Sequence, residues 1–139
     1  MITKMITNSK TVLALTFVIS SGFTLIDSVM HVASAGFIGV PSNYVYDTSG
    51  RSGPVSRHDY CTNSPDEFPN PFGSNADFRG PCARHDLCYD SPTDKKKCDV
   101  RLLQDMYTNC KNEYGPFNPV RHSCLKTAGI YFKAVVIAW

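Results

Sequence analysis

Six cysteines constrain this chain more than any other feature, because they can cross-link a small domain at several points. They are Cys61, Cys82, Cys88, Cys98, Cys110 and Cys124. We expect three disulfides, since a small domain has a limited core and closing a loop of about 15 residues contributes roughly 3 kcal/mol of stability. The alternative is a zinc site, but the chain has no Cys-x-x-Cys pair and no clustered histidine pair. Sequence alone leaves the pairing open.

The start of the chain has the pattern of a secretory signal peptide. Two lysines precede an apolar run from Thr11 to about Ile26, and Ala33-Ser34-Ala35 provides a small-residue cleavage site. We therefore expect residues 1–35 to be removed and residues 36–139 to form one secreted, extracellular domain. An uncleaved membrane anchor is the alternative, which the polar residues within the apolar run disfavour.

The charge of the chain is close to balanced, with 14 basic and 12 acidic residues and a formal net charge of +2. Nucleic-acid binding depends on many phosphate contacts and a pronounced basic surface, so a nucleic-acid partner is not expected. The only basic run is Lys95-Lys96-Lys97. It is typical of a solvated helix start, and weak attraction to anionic lipid is the other interpretation.

Turn-forming residues dominate the first half of the predicted domain. Residues 36–58 are rich in Gly, Ser and Pro and predict an irregular N-terminal arm. Residues 61–81 continue this composition, with phenylalanines as apolar anchors, and predict a disulfide-stapled loop. Residues 59–139 are expected to form the functional domain.

Three helices are predicted after this loop. The first has Pro81 in its first turn and runs to about Tyr89, and the second is capped by Thr93 or Asp94 and runs to about Cys110. The third covers about residues 123–138 and is amphipathic. Its expected packed face comprises Leu125, Ala128, Phe132, Val135 and Val136.

The segment Cys82-Ala-Arg-His-Asp-Leu-Cys-Tyr-Asp90 contains the residues best suited to chemistry. His85 is a natural general base, because its ordinary pKa lies near neutrality. Asp86 is a hard oxygen ligand suited to calcium. Successive helical positions point about 100° apart, so the two side chains can serve one site from different sides.

A second carboxylate, Asp99, interrupts the apolar stripe of the second helix. The stripe continues through Leu102, Leu103, Met106 and Cys110. Asp99 either lies solvated at the edge of this stripe or finds a buried partner. If the first two helices are antiparallel, Asp99 can bond one imidazole nitrogen of His85 and leave the other for a water, as a catalytic dyad. Covalent serine catalysis is disfavoured because no Gly-x-Ser-x-Gly motif is present.

Taken together, these motifs resemble those of the secreted phospholipase A2 superfamily, most closely its small bacterial and fungal branch. The resemblance covers roughly residues 59–137. It is carried by Asp59-Tyr60-Cys61, Ser64-Pro65-Asp66, Asn70-Pro71-Phe72-Gly73, Cys82-Ala-Arg-His-Asp86 with Tyr89, Asp99 eleven residues before Cys110, and Thr127-Ala128 leading to Tyr131, Ala134-Val135 and Ile137.

The resemblance implies a mainly α, disulfide-stapled phospholipase A2-like fold with two antiparallel catalytic helices and a C-terminal amphipathic helix. It implies His85 as general base, Asp99 as its orienting partner, and a calcium ion (Ca2+) held by Asp59, the Tyr60 carbonyl and Asp86. Calcium takes six to eight oxygen ligands, which leaves room for substrate oxygens. The implied reaction is hydrolysis of the sn-2 ester of phospholipids by a monomer acting at a membrane or micelle surface.

The resemblance also implies that Cys61 pairs with Cys82 and Cys110 with Cys124, which leaves Cys88 for Cys98. Many relatives in that branch lack a cysteine pair at these last two positions, so this staple is a departure. We hypothesise that it ties the end of the first helix to the start of the second.

A second departure is the arm, because the family commonly has helical segments upstream that help to line the substrate channel. An interfacial collar is one role for five large apolar residues, and burial in the core is the other. They are Phe37, Ile38, Phe68, Phe72 and Trp139.

The sequence is also compatible with two alternative functions. One is a noncatalytic lipid- or receptor-binding module on the same scaffold, and the other is a metal-dependent hydrolase of another ester.

Overall fold

The computed structural model describes residues 36–47, 49 and 56–138. Within this part the chain is mainly helical, with one short antiparallel strand pair. In chain order the elements are β1 (Glu67–Phe68), β2 (Ala76–Asp77), α1 (Arg79–Asp90), α2 (Lys95–Glu113) and α3 (Val120–Ile137). The predicted signal peptide, residues 1–35, and Trp139 lie outside the described residues.

The three predicted helices are present, with different ends. Helix α1 begins at Arg79, just before Pro81, whose missing N–H costs nothing in a first turn. Helix α2 is capped by Asp94, whose side chain accepts from the Lys96 N–H at 2.8 Å, and it runs to Glu113, nearly a turn beyond the predicted end. Helix α3 begins at Val120, nearly a turn early.

The basic run lies at the start of α2. Lys96 and Lys97 are exposed there, as a solvated helix start predicts. Lys95 differs, because its ammonium nitrogen lies 5.4 Å from the centre of the Tyr89 ring on α1. One lysine of the run therefore contributes to packing between the two helices.

Residues 61–81 form a cross-linked loop, as predicted, and hold the strand pair, which was not predicted. Phe68 pairs with Ala76 and Glu67 with Asp77, and Cys61 is bonded to Cys82 across the base of the loop. Two-residue strands are too short to show an alternating sequence pattern. The loop delivers the chain directly into α1.

All six cysteines are paired, which excludes the zinc alternative. The disulfides are Cys61–Cys82, Cys88–Cys98 and Cys110–Cys124, the pairing that the resemblance implied. Disulfides are typical of proteins that fold in oxidising compartments. None of the helices described is both long and apolar enough to cross a membrane.

Helices α1 and α2 are antiparallel. The Cys88–Cys98 bridge joins the end of α1 to the start of α2, whereas Arg84, earlier on α1, pairs with Asp105, later on α2, at 3.2 Å. The Cys110–Cys124 bridge then fastens the end of α2 to the first turns of α3. This arrangement turns one face of α1 towards the apolar stripe of α2.

The core lies between the loop and the three helices. Its largest fully buried side chains include Phe78, Met106 and Tyr114. The Tyr114 hydroxyl donates to the Ser74 carbonyl at 2.8 Å and accepts from the Ala76 N–H at 3.1 Å, so the polar end of this ring is satisfied. The loop is thereby held on the end of α2.

The packed face of α3 differs slightly from the prediction. Ala128 is buried, and Leu125 and Val135 pack against the core as expected. Val136 is instead 48% exposed, and Tyr131 packs against the core, with its ring 5.5 Å from that of Phe78. The helix therefore turns a tyrosine inward next to its aliphatic residues.

The described part of the arm is irregular, as predicted, but it is fastened to the helices. Asn109, fully buried on α2, accepts from the Ile38 N–H at 2.8 Å and donates to the carbonyls of Ile38 and Asp77 at 3.0 and 2.7 Å. Gly80 permits this approach, because a Cβ there would lie 2.1 Å from the Ile38 carbonyl oxygen. The arm thus crosses the start of α1 in close contact.

Candidate active site

The structure brings His85 and Asp99 together, as the sequence predicted. His85 Nε2 lies 2.8 Å from Asp99 Oδ1, and the Tyr89 hydroxyl donates to the same oxygen at 2.5 Å. Asp99 is only 3% exposed, so its alternative placement at a solvated edge is wrong. Because a carboxylate can only accept, Nε2 carries the proton and Nδ1 keeps its lone pair. The pair is therefore oriented as a base and its supporting acceptor.

The charge state of His85 suits a base. Burial lowers the pKa of His85 below its ordinary value of 6.5, and the hydrogen bond and negative charge of Asp99 oppose that shift without cancelling it. The imidazole is consequently neutral at pH 7 and can take a proton there.

Asp86, the next residue, faces a different set of groups. Its Oδ2 accepts from the Tyr44 hydroxyl at 2.7 Å, and the side chain is 5% exposed. Burial raises the pKa of Asp86 to about 7, the Tyr44 hydrogen bond opposes this shift, and the negative charge of Asp59 adds to it. A cation placed between Asp59 and Asp86 would relieve both the burial and the repulsion.

The loop before α1 carries the other two predicted calcium ligands. Tyr60 has a positive φ of 60°, an uncommon conformation for a bulky residue, which sets the direction of its peptide groups. Asp59 accepts from the Thr62 hydroxyl at 2.5 Å. The predicted ligands, two carboxylates and the Tyr60 carbonyl, are all oxygen atoms, the donor type that calcium prefers.

A cleft of about 540 Å³ is lined by Tyr60, His85 and Asp86 together with apolar residues. His85, Asp86 and Tyr89 line its polar side. Leu102 from α2 and Tyr131 and Val135 from α3 line its apolar side. A site of this kind buries the apolar part of a ligand while it presents a base and a carboxylate to the polar part.

The five residues expected either in an interfacial collar or in the core differ in exposure. Phe68 is a core residue at 8% exposure, whereas Phe37 and Phe72 are 47% and 89% exposed. None of these three lines the cleft, and Ile38 is engaged through its backbone by Asn109. Trp139 lies outside the described residues.

Sequence reasoning missed the contribution of the arm. Tyr44 reaches Asp86, and Ser56 donates to the Asp86 carbonyl at 2.9 Å and to Asp90 Oδ1 at 3.2 Å. His58 Nε2 lies 2.7 Å from Asp90 Oδ2, at the end of α1. An irregular segment has no periodicity from which such contacts can be read, and the presence of polar and aromatic residues was the only available signal.

Within the residues described, no three His, Cys, Asp or Glu side chains are grouped so as to hold a metal ion. The donor set built from Asp59, Asp86 and the Tyr60 carbonyl has only two such side chains. Comparison with family models, with curated proteins and with solved structures found no match.

Proposed function

We propose that this chain is a secreted, calcium-dependent phospholipase A2 with the corresponding fold, which hydrolyses the sn-2 ester of glycerophospholipids to a lysophospholipid and a fatty acid. The observation that carries the proposal is the His85–Asp99 pair, adjacent to Asp86 at the wall of an apolar cleft. An oriented base, a cation-binding carboxylate and an acyl-chain surface are the three elements that such a reaction requires.

In the proposed mechanism His85 acts through Nδ1, since Nε2 is held by Asp99. Nδ1 takes a proton from a water as the water oxygen attacks the ester carbon, and Asp99 stabilises the imidazolium that forms. When the carbon–oxygen bond to the glycerol breaks, the imidazolium returns the proton to the leaving oxygen. The base is regenerated without a covalent enzyme intermediate.

Asp59, Asp86 and the Tyr60 carbonyl would hold the calcium ion. The fit is supported by the raised pKa of Asp86, which reflects a buried carboxylate close to a second carboxylate. When bound, calcium supplies Lewis-acid polarisation of the ester carbonyl and charge stabilisation at its oxygen. The position of Asp86 directly after His85 places that ligand beside the base.

The apolar side of the cleft supports a lipid substrate over a small polar ester. Leu102, Tyr131 and Val135 offer a surface for an acyl chain. Tyr60, from the loop that carries two of the proposed calcium ligands, lines the same cleft. A phospholipid could therefore present its ester to His85 while its chain contacts α2 and α3.

The test is fatty-acid release from phosphatidylcholine vesicles labelled at the sn-2 chain, with calcium and with excess chelator. The proposal predicts release that requires calcium and is faster from vesicles than from soluble esters. Absence of release from several headgroup classes by folded, calcium-loaded protein would overturn it and favour the binding module. Activity on soluble esters equal to or above that on vesicles would favour the hydrolase of another ester.

A further inference from the structure

We propose that Tyr44, on the N-terminal arm, is a positioning residue for the calcium site, which its hydroxyl sets up by joining the Asp86 carboxylate to the backbone of Tyr60. This inference rests on the proposed function. It assigns a role to a residue outside the motifs that suggested that function, in a segment that resembles no catalytic element.

The first support is the hydrogen-bond chain. The Tyr60 N–H donates to the Tyr44 oxygen at 3.0 Å, and the Tyr44 hydroxyl donates to Asp86 Oδ2 at 2.7 Å. One oxygen atom therefore links a ligand that belongs to α1 with a ligand that belongs to the preceding loop.

The second support is the conformation of Tyr60. A tyrosine with a φ of 60° needs surrounding contacts to hold it, because this region is costly for a bulky side chain. The Tyr44 ring stacks on the Tyr60 ring at 5.3 Å, and Tyr46 stacks on it at 4.8 Å. Ring stacking and the N–H bond together hold the residue whose carbonyl would bind the ion, although that carbonyl belongs to the next peptide group along the chain.

The third support is the way in which the ring of Tyr44 is itself anchored. Its ring also stacks on His58 at 5.0 Å, and His58 is bonded to Asp90 on α1. Further upstream, Asn109 clamps Ile38 to α2. The hydroxyl is therefore presented from a segment that is held on both sides, as pre-organisation of a metal site requires.

The experiment compares Tyr44→Phe with Tyr107→Phe by calorimetric titration of the oxidised protein with calcium, without lipid. Tyr44→Phe keeps the ring and removes only the linking hydroxyl, so calcium should bind about tenfold more weakly, the loss expected for a hydrogen bond to a charged group. Tyr107→Phe, on α2, keeps a ring that packs against the core and removes a hydroxyl for which the described residues provide no hydrogen bond. Its dissociation constant should stay within about twofold of the original.

Two further readouts separate positioning from a general loss of stability. In the activity assay the calcium concentration for half-maximal release should rise about tenfold for Tyr44→Phe, and release at saturating calcium should recover to within about twofold. A merely structural role would lower the calcium-free melting temperature and leave the calcium dissociation constant unchanged. A lower calcium-free melting temperature with an unchanged calcium dissociation constant would overturn the inference.

The outcomes distinguish this inference from the proposed function. If the unmodified protein binds calcium and hydrolyses phospholipid while Tyr44→Phe binds calcium equally well, only the role of Tyr44 is wrong. If the unmodified protein binds no calcium, the proposed calcium-dependent function is wrong as well.

If Tyr44→Phe does not fold, the protein can instead be prepared with a single ¹³C-labelled tyrosine at position 44 and followed by NMR during calcium titration. If the ¹³Cζ signal of Tyr44 does not change as calcium is added, the inference is overturned. A shift of this signal, with no shift in a control sample labelled at Tyr114 instead, would support it.

Discussion

At the scale of single residues, two aspartates show how surroundings give the same side chain different properties. Asp99 receives hydrogen bonds from His85 and Tyr89 at a single oxygen. Asp86 is equally buried but receives one from Tyr44 and faces the charge of Asp59, and its pKa rises to about 7. We propose that the first holds a base in place and that the second binds a cation.

The unusual pKa of Asp86 predicts a pH-dependent stability difference. Because its folded pKa of about 7 exceeds its ordinary value of 3.8, the folded state binds the proton more tightly and loses stability as pH rises between these values. In chelator, the melting temperature of Asp86→Asn should therefore rise relative to that of the unmodified protein between pH 5 and pH 8, by about 5 °C or more. Thermal unfolding at both pH values checks this, and a difference that shrinks towards pH 8 would contradict it.

Asp99 should matter more to turnover than the tyrosine that supports it. Asp99→Asn removes the charge that stabilises the imidazolium, so we expect kcat to fall about 100-fold or more. Tyr89→Phe removes one donor to Asp99 and leaves the charge, so its kcat should fall less than about tenfold. Initial rates at saturating calcium measure both variants. Equal losses in the two would mean that the charge of Asp99 is not what His85 requires.

At the scale of elements, sequence patterns located the helices because apolar periodicity and caps are local signals. The stripe on α2 also identified Asp99 as the one carboxylate among apolar positions, and the antiparallel arrangement explains its contact with His85. The ends were less accurate, since α2 and α3 extend by nearly a turn through contacts made in the folded protein. The two-residue strands had no detectable pattern.

The Cys88–Cys98 disulfide should affect both stability and catalysis, because it fastens the helices that carry His85 and Asp99. Replacing both cysteines with serine opens a short loop and should lower the free energy of unfolding by about 2–3 kcal/mol. Loss of the Cys88–Cys98 bridge should also lower kcat more than loss of the Cys110–Cys124 bridge does. The latter joins α2 to α3 and does not connect the two helices that carry His85 and Asp99.

Denaturant unfolding and initial rates of the two double variants test this comparison. The Cys110–Cys124 variant is the matched control, with a similar separation of 14 residues against 10. If kcat falls equally in both, the Cys88–Cys98 bridge contributes only stability.

Asn109 provides a second prediction about elements, because it is the clamp between the arm and α2. Asn109→Ala would leave the N–H and carbonyl of Ile38 and the carbonyl of Asp77 without their partner. We expect a loss of about 2–3 kcal/mol in the free energy of unfolding. The adjacent Thr108 is only partly exposed, and its hydroxyl donates to the Gln104 carbonyl within α2. Thr108→Ala should change the free energy of unfolding by less than about 0.5 kcal/mol.

Urea titrations of the two variants measure this difference. A loss below about 1 kcal/mol for Asn109→Ala would show that the arm is held by other contacts.

At the scale of the whole molecule, the candidate site combines one part that sequence could predict with one that it could not. The motif around His85 and the helical position of Asp99 were sufficient for the dyad. The contact between Tyr44 and Asp86 joins residues 42 positions apart, through an arm without regular structure. In the folded chain, Asn109 binds the backbone of Ile38, and Gly80 leaves room for the arm to cross α1. These contacts bring the two side chains together, and neither has a pattern in the sequence.

The most direct test of the account is the release of sn-2 fatty acid by His85→Gln beside His122→Gln, under calcium-loaded conditions. His122 is an exposed histidine on α3 and serves as the matched control. We predict that His85→Gln loses about 10³-fold in kcat while His122→Gln stays within about twofold. Retention of more than about a tenth of the activity in a folded His85→Gln protein would contradict the assignment of His85 as the base.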